Sequence, residues 1–117
     1  MFGLVALVLF GAATDPELAT LRYETSRHAW SACIDHQLDR IADTANRAEI
    51  PRPAQVTIAM EQCYVFARDF RDVLPDNVET HLRAQGVERY SQDVVDSLAD
   101  EMFRVVEDDM RQMKEAQ

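Results

Sequence analysis

Trp30–Cys63, WSACIDHQLDRIADTANRAEIPRPAQVTIAMEQC, holds both cysteines of the chain and two of its four prolines. Apolar residues recur at helical spacing on each side of the prolines. Trp30, Cys33, Ile34 and Leu38 precede them, and Val56, Ala59, Met60 and Cys63 follow. Three- and four-residue steps of this kind place side chains on one helical face. Pro51 and Pro53 push the residues before them into extended backbone, so a helix ends at RAEIPRP and another starts beyond it. The stretch reads as two helices folded back on each other. Cys33 and Cys63 are equidistant from Ala48. In an antiparallel helical hairpin such positions lie at the same height. Trp30 shares a face with Cys33, and Met60 with Cys63, so both sulfurs point inward and meet. A disulfide is expected. Closing a loop of about thirty residues stabilises by about 3–4 kcal/mol on the loop-entropy model, a large part of the ~5–15 kcal/mol that holds a domain folded.

The hairpin extends in both directions. Thr14 or Asp15 can cap the first helix, Pro16 fits its first turn, and Glu17 sits at the positive end of its dipole. Leu18, Leu21 and Ile41 lengthen the apolar stripe, predicting a helix over about 15–46. After the turn, Pro53 opens a helix whose stripe continues through Phe66, Ala67, Phe70 and Leu74. Pro75 is expected to stop it, giving 53–74. Asp76 with Glu79 then reads as a capping box that starts a C-terminal helix or helix pair over about 77–114. Gly86 is either a short interruption or a tolerated helix glycine. Val95, Leu98, Met102, Val105, Val106, Met110 and Met113 form the last apolar stripe. A carboxylate stands four residues before an arginine at Asp43/Arg47, Glu79/Arg83, Asp100/Arg104 and Glu107/Arg111. Each pair supports a helix by about 0.2–0.5 kcal/mol. Alternating β-branched runs are missing. The expected fold is all-α, a small helical bundle in which a stapled hairpin packs on a C-terminal helix or helix pair.

The 117 residues suffice for one domain, expected over 14–117, and a composition 47% hydrophobic and 28% charged suits a globular core. The net charge of −9 repels phosphate backbones and anionic lipid, which argues against nucleic acid and against electrostatic membrane attachment. Residues 1–13, MFGLVALVLFGAA, are uncharged. Gly11 and Ala13 provide the small residues at −3 and −1 of a signal-peptidase site, with cleavage before Thr14. The apolar run is too short to span a bilayer, which takes about 20 residues, and no lipid-attachment cysteine follows it. A first helix of a cytosolic bundle and an uncleaved anchor are the competing interpretations. The signal reading places the mature protein in the periplasm or outside the cell, where two facing cysteines oxidise.

Chemical motifs are sparse. Cys33 and His36 at i,i+3 could pair a thiolate with an imidazole, but Cys63 is placed to consume the thiol. A zinc site from Cys33, His36 and Cys63 with Asp69 or His28 lacks a second C-x-x-[CH] pair, and HExxH is absent. His28, His36 and His81 have no Glu three residues before them, so a di-iron bundle is not indicated. No calcium-loop pattern accompanies the acidic runs at 100–101 and 107–109. Phosphate-cradling glycine loops and G-x-S-x-G are missing. Trp30 and the Met102, Met110, Met113 stripe read as core. In outline the chain is similar to short, exported, two-cysteine helical proteins of bacteria, and no motif carries an activity across. The expectation is a non-catalytic binding or structural module without cofactor, acting through a protein partner or self-association. Its candidate surface is Met102, Val106, Met110 and Met113, where the last stripe outruns its cover. The alternative is a thiol or zinc protein built on Cys33, His36 and Cys63.

Overall fold

The computed structural model describes residues 15–117; the expected signal segment and Thr14 lie outside them. Four helices follow in order, α1 (Asp15–Arg47), α2 (Arg52–Gln62), α3 (Tyr64–Ala84) and α4 (Gln92–Glu115), and no strand occurs among the described residues. α2 and α3 form one long middle arm. α1 and α4 pack chiefly on that arm and much less on each other.

The first hairpin is antiparallel and keeps its register over its whole length. The Cys33–Cys63 bridge is centred on Ala48, and so is the hydrogen bond from Asn77 Nδ2 to the Ala19 carbonyl, at 3.2 Å. Arg22 pairs with Asp76 at 3.5 Å one step away. This register explains the first of two departures from the sequence-based boundaries. Pro75 does not end the second arm; it lies inside α3, which runs on to Ala84. An interior proline costs about 3 kcal/mol. Leu74 and Val78, one turn apart across it, are both buried against the core, and Asn77 is tied to α1. Their burial outweighs the local penalty. Asp76 and Glu79 accordingly form no capping box. Both sit within α3, Asp76 facing Arg22 and Glu79 facing Arg83 at 3.9 Å. The start of the last helix belongs to Ser91, whose hydroxyl accepts from the Val94 N–H.

The second departure is a break at Cys63, which belongs to neither helix. Its N–H is shared between the Ala59 and Met60 carbonyls, and its own carbonyl accepts from Phe66 and Ala67. Helical bonding thus passes through the joint while one residue relaxes out of regular geometry (φ −99°, ψ 18°).

Two turns share one construction. At the end of α1, Ile50 N–H donates to Ala45 and Glu49 N–H to Asn46. At the end of α3, Val87 N–H donates to Leu82 and Gly86 N–H to Arg83. Both are Schellman motifs, which need a left-handed residue at the penultimate donor. Gly86 meets that need at φ 85°, and Glu49 meets it as a non-glycine at φ 55°. Left-handed backbone costs an L side chain about 1–2 kcal/mol. A Cβ on Gly86 would touch nothing within 4 Å. Gly86→Ala is therefore expected to destabilise by about 1 kcal/mol from backbone alone, whereas Glu49→Gly is expected to stabilise by up to about 1 kcal/mol. Urea unfolding of the two variants checks the opposite signs.

The core gathers Trp30, Ile34 and Leu38 from α1, Val56, Ala59 and Met60 from α2, Cys63 from the joint, Phe70, Leu74 and Val78 from α3, and Val95, Ala99 and Met110 from α4. Leu18, Leu21 and Phe66, placed by periodicity on apolar stripes, are exposed. The second hairpin is antiparallel too, with Arg71 on Asp100 (3.0 Å) and Arg111 Nη1 donating to Thr57 Oγ1 (2.9 Å). Of the four carboxylate–arginine pairs expected along the helices, only Glu79–Arg83 closes within 4 Å among the described residues. Asp100 is drawn instead to Arg71 across the helix interface.

Lys114 closes the end of α4 onto α1. Its side chain is 3% exposed, and Nζ donates to Asp35 Oδ1 at 2.7 Å and Ser31 Oγ at 2.8 Å; its carbonyl accepts from Arg52 Nε. Asp35 is half exposed, so water already stabilises its carboxylate. Removing the two partners should have unequal effects. Lys114→Met keeps the packed stem and leaves a hydrated carboxylate, with an expected loss within about 1 kcal/mol. Asp35→Ala leaves a buried ammonium on one hydroxyl, with an expected loss of about 1–3 kcal/mol for the donors left without an acceptor. Chemical denaturation of both variants measures the order; the reverse order would show that the stem packing of Lys114 is not what Met replaces.

Candidate functional site

Two features could carry function: the sulfur pair and a pocket on the side of the bundle. Cys33 and Cys63 are joined, with Cα atoms 5.9 Å apart, inside the span a disulfide bridges without backbone movement. Cys63 is fully buried and Cys33 half-buried, and no free cysteine remains among the described residues. His36 and His28 are exposed on α1, and Asp69 is exposed beside Arg68 at 3.6 Å. Among the described residues no three His, Cys, Asp or Glu side chains gather as metal ligands. In this bridged form, neither sulfur is a thiolate for His36 to activate or for zinc to bind.

The four positions expected to present an apolar surface are divided. Met110 is 2% exposed and part of the core, so it offers no contact area. Met102 and Val106 are half-buried against the core, and Met113 is exposed. The uncovered edge of α4 consists of Val94, Leu98, Val105 and Met113. Its stripe is wider than the seam it packs into. Val95, Ala99 and Met110 turn inward and their helical neighbours remain outside. With Tyr23 of α1, Leu98, Met102, Val105 and Val106 line a shallow groove of about 320 Å³.

A further pocket, about 410 Å³, lies where α1, the middle arm and α4 converge. Trp30 and Phe103 both line it and stack in parallel, centroids 5.6 Å apart at an interplanar angle of 4°. Phe70 backs them, 5.7 Å from Trp30 and 6.3 Å from Phe103. Three arginines surround the pocket. Arg71 lies over the Phe103 ring at 5.3 Å and Arg68 over the Tyr64 ring at 5.8 Å, and Arg111 reaches Thr57. Arginine stacks on aromatic faces in this way because its planar cation is weakly hydrated. Glu61 and Glu107 complete the polar lining. Trp30 is buried and its Nε1–H has no acceptor among the described residues. A buried donor left unpaired costs about 1–3 kcal/mol, and tryptophan usually finds a partner.

Sequence periodicity finds Trp30 but not the pocket. Tyr64, Arg68 and Arg71 at steps of four and three share one face of α3, which is a usable local signal. Arg111 and Phe103 come from another helix, and nothing local ties them to that face. No family model, no curated protein and no solved structure matches this chain.

Proposed function

We propose that the chain is an exported, non-catalytic binding module of the periplasm or cell envelope, its hairpin locked by an oxidised cysteine pair. The observation that carries this is the bridge itself. It joins two helices at matching height, with Cys63 sealed in the core, as suits a staple, whereas reactive pairs are exposed and carry a lowered thiol pKa. Such bridges persist where thiols are not kept reduced. The apolar residues 1–13, with small Gly11 and Ala13 at their end, are the matching export signal. No helix among the described residues is long and apolar enough to cross a membrane. Binding in place of catalysis is supported by the chemistry available: the sulfurs are consumed, and the arginines and aromatics of the pocket are groups that hold ligands.

Intact-mass and N-terminal analysis of the protein recovered from its own cell envelope tests the reading. The expected result is a chain beginning at Thr14 and two hydrogens lighter than its reduced form. A cytosolic protein beginning at Met1 with two free thiols, or one carrying zinc on Cys33 and Cys63, would overturn it.

A further inference from the structure

We infer that the pocket formed by Trp30, Phe103, Arg68, Arg71 and Arg111 takes a small aromatic monocarboxylate, an inference that rests on reading the chain as a binding module. The whole chain carries −9, yet three of its twelve basic side chains collect here against two carboxylates, Glu61 and Glu107. Asp100 and Asp69 stand against Arg71 and Arg68, which leaves Arg111 as the lining arginine with no carboxylate within 4 Å among the described residues. One such cation beside two glutamates matches a monoanion and disfavours a dianion such as a phosphate monoester.

The donors suit a carboxylate. Each guanidinium presents five N–H groups in a fixed plane, and a carboxylate accepts two of them side by side. Arg71 gives one bond to Asp100, and Arg68 stands 3.6 Å from Asp69, so each retains donors. Arg111 is bonded to a neutral hydroxyl and has no carboxylate within 4 Å among the described residues. The floor suits an aromatic body. Half-buried Phe103 and exposed Tyr64 line it, with buried Trp30 stacked on Phe103. At about 410 Å³ the pocket is within the ~300–1,000 Å³ of small-ligand sites. It holds a two-ring acid comfortably.

The chain has one tryptophan, so the ¹⁵N-labelled, oxidised protein gives a single indole N–H resonance from Trp30. Titration with 1-naphthaleneacetate is expected to move that resonance along a saturable curve. 1-Naphthaleneacetamide, the same shape without the charge, is expected to bind about tenfold more weakly to the unaltered protein. Arg111→Gln should weaken the acid by about tenfold and leave the amide unchanged, and Glu107→Gln should tighten the acid. An indole resonance that stays still at millimolar probe, or acid and amide of equal affinity, overturns the inference. So does full affinity in a folded Arg111→Gln protein. Such a failure leaves the export and bridge results standing. Chemical conversion of the probe during the titration would instead overturn the non-catalytic reading and keep the site.

Discussion

Cys33→Ser/Cys63→Ser is expected to keep the helical circular dichroism of the parent and lose about 3–4 kcal/mol of stability. The bridge closes a separation of 30 residues. Without it the unfolded chain regains the freedom that closure removes, while the folded hairpin keeps its buried faces. A second, smaller loss adds to the first, because Cys63 is fully buried and a serine there must bury a hydroxyl. For a domain of this size each kcal/mol moves the midpoint by about 4–8 °C, so Tm should fall by at least about 12 °C. Reducing the unaltered protein with dithiothreitol should reproduce most of that drop. Equal Tm values for oxidised and reduced protein would show that the two helices hold their register unaided.

Phe70→Ala should be the most damaging single substitution away from the cysteines, at about 3–5 kcal/mol. Its ring is fully buried and touches every arm: Tyr23 edge-on at 5.2 Å, Trp30 at 5.7 Å and Phe103 at 6.3 Å. Truncation removes that contact and opens a void that three helices would have to close together. The near-ultraviolet signal of Trp30 should weaken, because its neighbours lose their backing. Phe66, one turn earlier on the same helix and 41% exposed, is the control, and Phe66→Ala should cost less than about 1 kcal/mol. Similar losses at the two positions would mean that the aromatic cluster is not the centre of the core.

What could be read from the residues follows from how local each determinant is. The turn at Pro51 and Pro53 was legible because proline constrains its own neighbourhood, and the sulfur pairing followed from symmetry about Ala48. Pro75 carries the same local signal, but its effect is decided at a distance, by Leu74, Val78 and Asn77 packing on α1. The break at Cys63 has no glycine or proline to announce it. Glu49 adopts a glycine-like backbone that its identity conceals, while Gly86 displays the same role openly. Lys114 was invisible as a core residue, since a lysine is buried only where partners from other helices wait for it. The pocket shows the same limit. Its α3 face has a recognisable spacing, and its α4 half exists only because the second hairpin folds back.

The bridge also bears on how this polypeptide can travel. A closed ring of some thirty residues cannot be threaded end-first through a channel that admits a single extended strand. Any passage through such a channel has to precede the joining of Cys33 to Cys63. Both sulfurs lie ahead of α3 and α4 in the chain, so in an N-to-C crossing the ring can close on the far side while those helices are still in transit. Once closed, the ring would block return through any such channel.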